Sequence, residues 1–66
     1  MQVLLNGTPH ALDRAVTVAE LIDSLYTGAR RVAVERNGEI VPRSRHSEVQ
    51  LSEGDRIEIV VAVGGG

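Results

Sequence analysis

Apolar residues alternate with other positions in several short stretches of the chain and recur at helical spacing in one. Val3 and Leu5 alternate with Gln2 and Leu4, and Asn6-Gly7 then supplies two residues that tolerate positive φ in a two-residue turn. Residues 2–12 therefore read as a β-hairpin. Pro9 has no N–H to give to a ladder, which puts the second arm, residues 10–12, on or near a sheet edge. The signal repeats in residues 32–36, the turn Asn37-Gly38 and residues 39–41, where Pro42 stops the second arm. An irregular polar stretch, 43–50, leads through Leu51 and a turn at 52–55 into a final strand, 56–63.

Between the hairpins the period changes. Thr17 followed by Glu20 forms a capping-box signature, and Val18, Leu21, Ile22 and Leu25 then fall on one helical face. Gly28 is placed to end that helix in a left-handed cap. In the last strand Ile57, Ile59, Val61 and Val63 share one face, and Glu58, Val60 and Ala62 the other. A second face that is only partly polar places this strand centrally. The order ββαββ followed by β predicts an α+β fold of the β-grasp, ubiquitin-like type: a mixed five-stranded sheet covered on one face by one main helix. A single helix leaves the opposite face bare, where Leu4, Val60 and Ala62 would form an apolar patch for docking a partner.

Composition narrows the function. Sixty-six residues, 42% of them hydrophobic, make one small domain. We assign residues 1–63 to it and 64–66 to a flexible glycine tail. So small a core rarely walls off a substrate cleft, and no nucleophile–base pair, phosphate loop or metal cluster is visible, so a carrier or binding role is expected rather than an autonomous enzyme. The absence of cysteine excludes a disulfide framework and a thiolate metal site, and fits a reducing cytoplasm. The apolar run 59–63 is far too short to span a bilayer, and the start of the chain lacks a basic signal region. A net charge of -2, scattered basic residues and Tyr26 as sole aromatic give no footprint for nucleic acid.

All seven basic residues are arginine. Codon bias in a GC-rich genome accounts for that, and a lack of lysine is also compatible with an activated acyl group on the chain itself, since an amine would intercept it. Arg36, Arg43 and Arg45 either contact an acidic partner or serve solubility. His10 and His46 have no ligand spacing and read as surface residues; Asp and Glu are dispersed and read as a solvated face.

The chain passes from the last strand directly into Gly64, Gly65 and Gly66. Without Cβ atoms such a segment is thin, and three extended residues reach about 10 Å, enough to enter a narrow channel in a partner. An α-carboxyl group is ionised at neutral pH, so the Gly66 carboxylate can attack the α-phosphate of ATP. The acyl-adenylate formed carries a good leaving group, and a sulfur nucleophile that displaces AMP leaves a C-terminal thiocarboxylate.

The residues Met1-Gln2-Val3-Leu4-Leu5-Asn6, the stretch from Val34-Glu35-Arg36-Asn37-Gly38 through Glu39-Ile40-Val41-Pro42-Arg43, and the terminal glycines resemble the ThiS family, the sulfur carriers of thiamine biosynthesis. The resemblance covers essentially the whole chain. It implies adenylation of Gly66 by a ThiF-like adenylyltransferase, which uses ATP; the carrier itself binds no cofactor. It also implies a persulfide-bearing donor protein and delivery of sulfur to thiazole synthase, ThiG, for thiazole formation. Gly65 and Gly64 would lie in the partner's channel, although Gly64 exceeds the minimal diglycine ending. The same tail chemistry serves the MoaD-like subunit of molybdopterin synthase, whose branch has prolines before the tail that Val60-Val61-Ala62-Val63 lacks. A ubiquitin-like protein modifier, and a β-grasp interaction module with an idle tail, are the readings from other classes.

Overall fold

The computed structural model describes residues 1–26 and 31–61. Among them are five strands and one α-helix: β1 (Gln2–Leu5), β2 (Thr8–Ala11), α1 (Val18–Leu25), β3 (Val32–Arg36), β4 (Glu39–Val41) and β5 (Arg56–Val61). The strands form one sheet in the order β2-β1-β5-β3-β4. β1 and β5 run parallel, and every other neighbouring pair is antiparallel. This is the mixed sheet with a central last strand expected from the alternation in residues 56–63, of which the described strand covers Arg56–Val61.

Both two-residue turns form as the Asn-Gly pairs require. Asn6 and Gly7 have φ of 50° and 83°, and Asn37 and Gly38 have 52° and 88°. Positive φ at both central positions matches the twist of the flanking strands. Pro9 lies in edge strand β2, and β4 ends at Val41, immediately before Pro42.

The capping box forms in full. Thr17 Oγ1 accepts from the Glu20 amide at 3.1 Å, and Glu20 Oε1 accepts from the Thr17 amide at 2.9 Å. The bond from the Thr17 amide, reinforced by the Arg14 guanidinium, holds the exposed Glu20 carboxyl below its ordinary value of 4.5. The helix entry is also tied to the chain before β5: Val18 N–H donates to the Val49 carbonyl and Leu51 N–H to that of Val16.

Val18, Leu21 and Ile22 meet Val3, Val34, Val41, Leu51, Ile57 and Ile59 in one buried cluster between helix and sheet. Burying a side chain of this kind is worth about 1.5–3 kcal/mol, so the inward faces of β1, β3 and β5 carry much of the fold. Leu25, in the last turn of the helix, shares that face but is 36% exposed. The proposed cap at Gly28 lies outside the described residues. Part of the stretch read as irregular contains a 3-10 turn at Arg43–Arg45.

Two further expectations are corrected. The acidic residues are not all solvated: Asp55 is 7% exposed and ion-paired. The histidines are half-buried rather than fully at the surface, and a ring nitrogen of His46 lies 3.1 Å from the Val41 carbonyl.

Candidate functional site

β5 is the last described element before the terminal glycines. Its last described residue, Val61, is the Cα partner of Val32 at the start of β3. On the other side β1 accompanies β5 only as far as Ile57, with the Asn6 amide donating to the Ile57 carbonyl. Beyond that point the Asn6 side chain takes over. Its Oδ1 accepts from the Ile59 amide at 2.8 Å and its Nδ2 donates to the Ile59 carbonyl at 3.3 Å. One residue at positive φ thus turns the hairpin and extends the parallel ladder along β5. Gly66 is the fifth residue after Val61, a reach of at most about 18 Å.

The opposite end of β5 is fixed by Asp55. Its Oδ2 accepts from Arg36 Nε at 2.8 Å and from the Ser52 amide at 2.7 Å, and its Oδ1 from Asn37 Nδ2 at 3.1 Å. Burial alone would raise the Asp55 carboxyl, but these donors outweigh it and hold the group below its ordinary value of 3.8. Asn37 Oδ1 accepts from the Arg56 amide, so the second Asn-Gly turn also clasps β5. Arg36, a candidate for contacting an acidic partner, therefore has an internal partner. Arg45 lies 3.7 Å from Glu48 at the surface.

The sheet face away from α1 carries Leu4 and Val60, which are 39% and 66% exposed. They are not adjacent. The Cα partner of Leu4 on β5 is Arg56, four residues before Val60 and about 13 Å away along the strand. Between those levels lie Glu58 and its cross-strand partner Glu35, which in turn faces Ile40, 75% exposed. The opposed glutamates escaped the sequence reading because only the register of β3 on β5 puts them side by side. Ala62, Gly64, Gly65 and Gly66 lie outside the described residues.

No group of three or more metal-ligating side chains occurs among the described residues. No helix there is long and apolar enough to cross a membrane. A depression of about 240 Å³ beside Arg36, Val41 and Arg45 falls short of the usual size of a small-molecule pocket. The described residues supply exposed surfaces and a last strand held on both sides.

Comparison with known proteins agrees with that arrangement. The ThiS family model matches residues 3–66. The chain is 46% identical over 50 residues to the sulfur carrier protein ThiS of Bacillus subtilis, covering 76% of each protein. It is 42% identical over 66 residues to a thiazole synthase of Paramagnetospirillum magneticum, matching over its whole length but spanning only 20% of that protein. The crystal structure of the thiamine biosynthesis protein ThiS from Geobacter metallireducens superposes with a TM-score of 0.84 at 33% identity, covering all of both chains.

Proposed function

The chain belongs to the ThiS family, and from that membership we propose that it is a sulfur carrier of thiamine biosynthesis whose Gly66 carboxylate is the working group. The observation that carries the reading is the seating of β5. A strand held by β3 on one side and by β1 and Asn6 on the other leads within five residues to Gly66. The rigid part is grasped by a partner and the thin part enters its channel.

In the first step a carboxylate oxygen of Gly66 attacks the α-phosphate of ATP, forming the acyl-adenylate and releasing pyrophosphate. In the second, a persulfide sulfur attacks the acyl carbon and AMP departs with the electron pair. Reductive cleavage of the resulting acyl disulfide by a thiol leaves the thiocarboxylate and a disulfide on the donor side. A ThiF-like adenylyltransferase would provide the ATP site and ThiG would receive the sulfur. The carrier's own contribution is the tail and the surface that orients it. The thiazole synthase of Paramagnetospirillum magneticum contains a segment similar to this whole chain, which supports a synthase as recipient.

The test is intact and fragment mass spectrometry of the chain after incubation with ATP, its activating enzyme and a sulfur donor. Replacement of oxygen by sulfur localised to Gly66 is the expected result. Oxidation of Met1 gives nearly the same nominal mass, so the fragments must separate the two ends. An unmodified Gly66 in the presence of a competent activating enzyme would refute the carrier reading.

A further inference from the structure

The bare sheet face has a charge pattern that the fold does not use. Glu35 and Glu58 are directly opposed on β3 and β5, and both are exposed. Like charges in this position cost a sheet stability. Among the described residues neither carboxylate has a hydrogen-bond or ion-pair partner. They border a depression of about 210 Å³ with Leu4, Arg56 and the turn glycines Gly7 and Gly38. Along β5, Val60 and its partner Ala33 lie on the tail side of the pair; Leu4 and Arg56 lie on the other. The face thus presents aliphatic surface, two carboxylates side by side, then aliphatic surface with one arginine.

Resting on the carrier reading above, we infer that this face docks the activating enzyme through a basic side chain of that enzyme, seated between Glu35 and Glu58 with its aliphatic stem along Leu4. Charge complementarity selects this occupant. An enzyme that brings a carboxylate tail to a nucleoside triphosphate lines the approach with cationic groups, and Glu58 is only eight residues from Gly66. A guanidinium or ammonium group between the two carboxylates removes their repulsion, so the free carrier holds in reserve an interaction completed on binding. Two carboxylates against the single Arg56 leave the depression net negative.

The experiment measures pyrophosphate release on adenylation of the full chain by its activating enzyme across a salt series. It compares wild type, the double variant Glu35→Gln/Glu58→Gln, and Glu39→Gln as a control, since Glu39 pairs with Arg36 and projects from the other face. The double variant is expected to raise KM for the carrier about tenfold at low salt with kcat unchanged, and to flatten the salt dependence. Its melting temperature should equal or exceed that of wild type, since a repulsion has been removed. A KM within about twofold of wild type overturns the assignment. So does an increase of the same size in Glu39→Gln, which would report net charge rather than this site. A wild-type chain that supports no pyrophosphate release would sink the carrier reading, and this inference with it.

Discussion

Replacing Asp55 by asparagine changes one oxygen of a nearly isosteric side chain, yet it should remove a large share of the stability of this domain. The carboxylate accepts three hydrogen bonds, from Arg36, the Ser52 amide and Asn37. An asparagine can satisfy only part of that set, because its NH₂ group must face a donor. Hydrogen bonds to a charged acceptor are worth about 1.5–3 kcal/mol each. The Arg36 side chain is 31% exposed and recovers hydration when its partner is lost, so the pair contributes less than a fully buried one. A net loss of about 2–3 kcal/mol remains, against the roughly 3–5 kcal/mol that a core of this size supplies.

Urea denaturation followed by the helix signal measures the loss at pH 7, and its pH dependence provides a second check. The folded-state pKa of Asp55 lies below the ordinary 3.8. Its ionised form therefore contributes stability in full well above pH 3.8, and that contribution fades as the pH falls through the lowered folded value. The gap between wild type and Asp55→Asn should narrow in acid. A variant within about 0.5 kcal/mol of wild type at pH 7, or a gap that stays constant into acid, would refute the reasoning.

Two further expectations concern the ends of elements. Thr17→Ala removes the hydroxyl that accepts from the Glu20 amide and should cost about 1 kcal/mol, read as a lowered urea midpoint at unchanged slope; an unshifted midpoint would deny the cap its role. Asn6→Gly keeps the positive φ of the turn but deletes both side-chain bonds to Ile59, so it isolates the clasp, at about 1–2 kcal/mol. Amide exchange at Ile59 should accelerate more than at Ile57; equal acceleration at both would mean the clasp does not hold β5 locally.

What the sequence determines by itself is local. The capping box, the two Asn-Gly turns and the period-2 alternation of residues 56–61 depend on neighbours a few positions away, and they specify the helix start, both hairpins and the inward face of β5. The order of these elements then leaves little choice of topology, since one apolar helix face needs one sheet face to cover. Tertiary structure decides what depends on register and on distant partners. Asp55 follows a turn and looks like a solvated acid until Arg36 and Asn37, from the second hairpin, are brought beside it. Asn6 looks like a turn residue until parallel pairing sets Ile59 next to its amide. Leu4 and Val60 look like neighbours until the β1–β5 register places them four residues apart, with Glu35 and Glu58 facing each other between their levels. A strand's alternation says which side a residue faces, but only the pairing of strands says what it faces there.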